Sequence, residues 1–402
     1  MTDRPDPATD RPSPVPSTPT PSPPPHSPAT IAAHTVRAPA PESLPPGLRG
    51  APSAEPLYQT SVFDFDTIES ADAPLAGAGG YVYARYGLPN PRTLELTVAA
   101  LEGTADALAT SSGMSAIACC VLAAARAGDR VLLQADAYGG TLGLLRGDLS
   151  RLAIETELVD AYDPAAVARA LARPAKLMIV ETLSNPLVRE TDVATLARVC
   201  RERGALLAVD NTFATPVLRR PAADGADLVL HSATKFLGGH HDLCAGVLCG
   251  TAEFVGAARG VAKRFGMTAA PFDAWLACRG LRTLDVRIER AQANTRSLAA
   301  WLRADTRVRA VHHPGWGAML SFDTGSAEAA SRVVAAARLL TLTPSLGGTT
   351  STLSHPATSS HRGMPAQERR ALGIGDGLLR LSAGLESIED LTADLGAALA
   401  AI

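Results

Sequence analysis

The sequence predicts an α/β protein, a mostly parallel sheet with helices on both faces, followed by a smaller α+β domain. Three observations carry this. "DRVLLQ", "KLMIVET", "ALLAVDNT" and "DLVLHSAT" are short apolar runs that each close on polar residues. Stretches of helical periodicity lie between them, as where Val193, Leu196, Ala197, Val199 and Cys200 recur three and four residues apart. After about Arg287 the texture changes to a long helix-like "RIERAQANTRSLAAWLRA", then "AMLSFDT", an amphipathic "AEAASRVVAAARLL" and "GLLRLSAG".

Taken in order, the chain opens on a proline-rich leader. Residues 1–50 hold 15 of the 30 prolines, in runs such as "RPSPVPSTPTPSPPPHSP", which lack the amide donors for a ladder and the apolar area for a core. Residues 1–54 are therefore predicted to be disordered. From Glu55 onward the alternating pattern begins, and 402 residues at 46% hydrophobic are enough for one large core or two smaller ones. With 37 basic and 40 acidic residues the net charge is -3, which argues against a nucleic-acid surface. Six cysteines without C-x-x-C spacing suit a reducing compartment. No apolar run approaches the ~18 residues of a membrane span, and the N-terminus lacks the order of a secretory signal. A cytoplasmic protein is expected.

In a parallel sheet the polar residues at the C-terminal strand ends face one crevice, where ligands bind. "ETLSNP", "DNT" and "HSATK" are thus expected to be neighbours. Lys235 in "HSATKFLGG" follows Ser232 and Thr234; it is either a solvated charge at the sheet edge or a reactive amine. "TSSGMSAI" sets small residues at a helix start, either ordinary capping or a phosphate seat at the helix N-terminus. Neither G-x-x-x-x-G-K-[ST] nor G-x-G-x-x-G occurs, so a nucleotide is not the favoured owner of that phosphate. Asp210 closes an apolar strand, as a cap, a salt-bridge partner or a carboxylate for a protonated ring nitrogen. Tyr138 in "DAYGGT" is a loop tyrosine or a stacking face. Arg380 in "LLRLSAG" is a structural ion pair or a bidentate grip on a carboxylate. Together these are the parts that a pyridoxal phosphate site for amino acids requires, its lysine partly desolvated so that the neutral amine is available.

The residues resemble the Cys/Met metabolism (trans-sulfuration) family of pyridoxal phosphate enzymes, the cystathionine lyases and synthases and their relatives, over about residues 55–400. "YARYGLPNP" is similar to the family's Y-S-R-x-x-N-P-T arm, "ATSSGMSAI" to its phosphate helix and "DAYGGT" to its stacking tyrosine. "ETLSNP", "AVDNTFATP", "HSATKFLGGHHD", "SLGGTTSTLSHPATSSH" and "GIGDGLLRLSAGLE" resemble its core and substrate-binding elements.

The resemblance implies the fold-type I architecture of PLP-dependent transferases, with an arm at 55–95, a cofactor-binding domain at 96–286 and a substrate-closing domain at 287–402. It implies pyridoxal 5'-phosphate as cofactor and Lys235 as the Schiff-base lysine and proton carrier. Asp210 would bind the pyridine nitrogen. Gly113, Met114, Ser232 and Thr234 would bind the phosphate. Tyr138 would stack and assist proton transfer, Asn185 would meet the cofactor hydroxyl, and Ser345 with Arg380 would fix the substrate carboxylate. Tyr83 and Arg85 would reach the phosphate of a neighbouring subunit, implying a dimer of shared sites, usually paired into a tetramer.

Four departures bear on substrate choice. Leu88 stands for the family's usual Asn, and Val82 and Thr350 stand where cystathionine-specific members often carry acids, which would favour an uncharged distal end. Gly140 stands where methionine γ-lyases usually have Cys. The expectation is a carbon–sulfur lyase acting on cystathionine or a related thioether, with a γ-replacement synthase as the alternative. A zinc hydrolase built on His240, His241 and Cys244 is the remote one, since two adjacent histidines on one short strand face opposite ways and H-E-x-x-H is absent.

Overall fold

The computed structural model describes residues 26–38, 52–76 and 79–402. A seven-stranded sheet is built from β1 (Asp106–Thr110), β2 (Arg130–Gln134), β3 (Glu155–Val159), β4 (Leu177–Glu181), β5 (Leu206–Asp210), β6 (Leu228–Ser232) and β7 (Gly246–Gly250), in the order β1-β7-β6-β5-β4-β2-β3. β3, β2, β4, β5 and β6 run parallel, while β7 is antiparallel to both its neighbours.

β2, β4 and β7 are buried along their whole length, the pattern of a sheet covered on both faces. One face packs on the helices Pro164–Ala170 and Val193–Glu202. Pro89–Glu102 and Pro271–Leu281 cover the β1, β7 and β6 end of that same face, and the other face packs on Gly113–Ala124 and Ala252–Phe265. Local sequence fixes the helix ends. Asp192 accepts the amide of Thr195 at 3.0 Å, and Gly266 closes its helix at φ 72°.

A second, five-stranded sheet holds β8 (Ala310–His312), β9 (Met319–Asp323), β10 (Thr341–Leu342), β11 (Thr352–Ser354) and β12 (Leu378–Ser382), ordered β10-β11-β12-β9-β8. Helices Leu284–Ala304, Ala327–Ala336 and Ile388–Leu399 cover one face with Leu298, Leu302, Val333, Leu391 and Leu395. The other face looks toward the first sheet, where Ser321 Oγ donates to the Pro186 carbonyl at 2.6 Å.

One expectation fails in part. Residues 26–38 lie within the leader predicted to be disordered, yet Pro28–His34 is a helix. Proline is tolerated at its first turn, and Ser27 caps the amide of Thr30. Ile31 and Ala32 reach the core beside helix Pro89–Glu102, whose Thr97 and Thr93 hydroxyls take the amides of Val36 and Ala38 at 2.9 and 3.0 Å. The remainder of the proline-rich stretch, 1–25 and 39–51, lies outside the described residues. Among the described residues no helix is long and apolar enough to cross a membrane.

Candidate active site

The parallel strands deliver their polar ends to one place. Glu181 and Asp210 are register partners at the C-terminal ends of β4 and β5, and Ser232 ends β6. They line a cavity of about 360 Å³ with Gly113, Met114, Tyr138, Asn185, Thr234, Lys235 and Arg380. Ser345 joins through its side chain, since Lys235 Nζ donates to Ser345 Oγ at 2.9 Å. All the sequence-predicted site residues except Tyr83 and Arg85 therefore meet.

Those two lie elsewhere on the chain. Tyr83 is 40% exposed, and Arg85 stacks on Tyr83 and Tyr86 while donating to the Lys263 carbonyl at 2.8 Å. Val82 and Arg85 line a separate cleft, and Thr350 is exposed on the surface. Positions 82 and 350 thus lie outside the cavity wall of their own chain. Leu88 is buried and starts a helix without a side-chain cap.

Each charged group in the cavity sits under an electrostatic cost that the chain leaves standing. Burial and the Arg380 charge bring the Lys235 ammonium down to about 8, with Cys244 acting weakly the other way. Arg380 is 3% exposed and burial lowers it to about 10. It donates to Asn185 Oδ1 at 2.9 Å and to the Ser345 carbonyl at 3.1 Å, and among the described residues its Nε has no partner. Of the alternatives left by the sequence, the structural ion pair is not what the structure contains: among the described residues no carboxylate bridges Arg380. Asp210 is raised by burial, against the Thr212 amide at 3.0 Å and, more weakly, the charge of His231.

These observations fit pyridoxal 5'-phosphate. A carboxylate at a strand end with no ion-pair partner among the described residues suits a protonated ring nitrogen, and a buried guanidinium with an N–H left unbonded among them suits a substrate carboxylate. At the phosphate end, Ser112 caps the amide of Ser115, leaving those of Gly113 and Met114 for an outside acceptor. A Cβ on Gly113 would come within 2.7 Å of Ser232 Cβ, so a side chain there would close the seat.

The glycines beside Tyr138 have separate tasks. A Cβ on Gly140 would meet the Tyr138 ring at 2.4 Å, so the ring owes its place to the bare backbone below it. On Gly139 it would strike the Ser360 carbonyl at 2.0 Å, where the segment before His361 closes over the turn. His240 and His241 diverge: His240 Nδ1 bonds the Gly238 carbonyl at 2.8 Å, and the His241 ring lies against Gly348.

Sequence reasoning missed three participants. Thr212 Oγ1 accepts the Ser232 amide at 2.9 Å and lines the cavity. Cys244, named from sequence only as a ligand of the remote zinc alternative, is exposed on the cavity wall, whereas the other five cysteines are buried. Glu181 accepts the amides of Tyr138 and Asn185 at 2.7 and 2.9 Å. Its place at the end of an apolar run, like that of Asp210, was the available signal.

Comparison with known proteins bears on this geometry. A family model described as Cys/Met metabolism PLP-dependent enzyme matches residues 49–400. The chain is similar to an O-succinylhomoserine sulfhydrylase of Pseudomonas aeruginosa, 40% identical over 366 residues, 87% of this chain and 91% of the relative. It is also similar to a cystathionine beta-lyase of Bacillus subtilis, 40% identical over 361 residues, 86% of this chain and 90% of the relative. A solved structure of cystathionine gamma synthase from Xanthomonas oryzae pv. oryzae, in complex with aminoacrylate and cysteine, superposes with a TM-score of 0.86 at 37% identity, covering 94% of this chain and 98% of that one.

Proposed function

The chain belongs to the Cys/Met metabolism family of PLP-dependent enzymes, and on that premise we propose that it is a carbon–sulfur lyase that eliminates the β or γ substituent of cystathionine or a related thioether. The observation that carries this reading is the hydrogen bond from Lys235 to Ser345, with Arg380 held by the carbonyl of the same serine. It sets a proton-moving amine beside the group that would grip the α-carboxylate, so the Cα proton of a bound amino acid falls between them.

Bound in the cavity, pyridoxal 5'-phosphate supplies the electron sink that makes that proton acidic. Asp210 would hold a proton on the ring nitrogen, and Tyr138 would press its ring face on the pyridine and assist proton transfer. Gly113, Met114, Ser232 and Thr234 would take the phosphate, and Asn185 the ring hydroxyl. Lys235 would accept the Cα proton and return one on the leaving-group side as the carbon–sulfur bond breaks with its electron pair on sulfur. Leu183, Phe213 and Leu346 on the same wall would exclude water and accommodate a thioether.

Purified holoenzyme given L-cystathionine or L-methionine alone should release 2-oxo acid and ammonia. The second reading is a γ-replacement synthase, favoured by the similarity to the sulfhydrylase above. Turnover only when O-acylhomoserine and a thiol or cysteine are supplied together would assign that reading and overturn the lyase. The five buried free thiols support a cytoplasmic setting.

We also propose that residues 55–95 form an arm against a neighbouring subunit and that Tyr83 and Arg85 complete its phosphate site, in a dimer paired into a tetramer; 96–286 would be the cofactor-binding domain and 287–402 the substrate-closing one. The arm leaves Val62, Ile68, Leu75, Tyr83 and Tyr86 exposed, an apolar surface suited to a second copy. Lys235→Ala and Arg85→Ala proteins, each inactive, should regain activity when unfolded and refolded together, toward about a quarter of wild type, because each mixed dimer keeps one intact site. No recovery would refute the shared site.

A further inference from the structure

Glu181 has no part in the assignments above, and its bonding calls for one. Its main chain is held on both sides: its amide donates to Gln134 Oε1 at 2.9 Å, and its carbonyl accepts from Thr191 Oγ1 at 2.7 Å. Gln134 is in turn fixed by Asp136 Oδ1 at 2.8 Å and by the Tyr162 hydroxyl. The carboxyl group, 7% exposed, projects from this clamp onto the cavity wall. One oxygen accepts the Tyr138 amide and the other the Asn185 amide.

From there the bonds continue. Asn185 Oδ1 accepts from Arg380, Arg380 donates to the Ser345 carbonyl, and Ser345 Oγ accepts from Lys235. One unbroken path therefore links the backbone of the stacking tyrosine to the amine, through the guanidinium.

An acid is a costly choice at this point. Among the described residues no cation is paired with it, Asp210 is its neighbour across the strands, and burial with that neighbour's charge raises it well above the usual carboxylate range. Two convergent N–H donors explain the residue type, for only a carboxylate offers an acceptor oxygen to each. A glutamine would turn an NH2 toward one of them.

We propose that Glu181 is a positioning residue that makes the seat of the stacking ring and the grip on the substrate carboxylate a single unit. Tyr138 starts the short helix Gly139–Gly143, so fixing its amide fixes the ring. Fixing the Asn185 amide aims Oδ1 at Arg380. This rests on the reading of Arg380 as the carboxylate clamp.

The test uses holoenzyme, with L-methionine and L-methioninamide as probes titrated against the cofactor absorption band. Wild type should prefer the carboxylate. Glu181→Gln should reduce that preference about fivefold to twentyfold, as expected from misaligning one charge-assisted pair. KM for the amino acid should rise more than kcat falls, and the visible dichroism of the bound cofactor should weaken as the ring tilts. Glu181→Asp keeps both acceptors one methylene further back and should restore part of the preference. If Glu181→Gln does not fold, Glu181→Asp alone is read against wild type, and an unchanged preference there overturns the proposal. A Glu181→Gln enzyme that discriminates as wild type does, or that loses both probes equally, overturns it as well. Wild type that binds cofactor but shows no preference removes the clamp on which the proposal rests. Wild type without a cofactor band removes the functional reading itself.

Discussion

Lys235→Met should abolish turnover and, in cofactor-free protein, raise thermal stability. On the roles proposed for Lys235, the first effect follows from losing both the covalent attachment and the proton carrier, and a fall of at least about a thousandfold in kcat is expected. The second follows from burial. Burial and the Arg380 charge bring the ammonium from its ordinary 10.5 down to about 8 in the folded chain, so the folded state holds the proton less tightly than the unfolded one. Above about 10.5 the lysine is neutral in both states and costs nothing. As pH falls through the window from 10.5 to 8 stability is lost, and below 8 the whole cost is present. It amounts to at most about 3 kcal/mol, against about 1 kcal/mol for the bond to Ser345 that methionine gives up. Scanning calorimetry of the two apo proteins at pH 7 should show the Met variant melting a few degrees higher, with the difference closing near pH 10.5. Equal melting at both pH values would mean that burial of the amine carries no such cost.

Asp210→Asn should lower turnover about a thousandfold and weaken cofactor binding, with the protein still folded. Asparagine keeps the volume and can still accept the Thr212 amide at Oδ1. What it removes is the negative charge. At this strand end that charge has no ion-pair partner among the described residues and lies beside Glu181, so its stabilising use is toward a cation brought by the ligand. Losing a preorganised charge in a buried site typically costs a few kcal/mol in the transition state. kcat and the absorption maximum of the bound cofactor are the measurements, and wild-type values for both would show that Asp210 does not serve the ring nitrogen.

Much of the site was legible because strand ends in a parallel sheet converge whatever the sequence distance between them. "ETLSNP", "AVDNT" and "HSATK" could be placed together before any coordinate was known. The same reasoning passed over β1, "DALAT", and β7, "GVLCG", whose alanines and glycines carry little strand signal although both are paired along their length. Local composition also misjudged Pro28–His34, where Ile31 and Ala32 join a core supplied by distant residues, and the amides of Val36 and Ala38 just beyond bond a helix 61 and 55 positions away. Glu181 and Thr212 stood within quoted motifs and Cys244 just beyond one, but what they touch depends on partners brought in by the fold. Positions 82 and 350 lie outside the cavity of their own chain, where a motif alone does not say which site a side chain serves.

The backbone contact between Gly139 and the Ser360 carbonyl has a consequence for how this enzyme could be remodelled. The first sheet and the segment leading back to the second meet there with no side chain between them, so the mouth cannot be widened or narrowed from position 139. Any redesign for bulkier amino acids has to begin on the opposite lip, at residues 359–361, and only afterwards touch the aromatic ring it shelters.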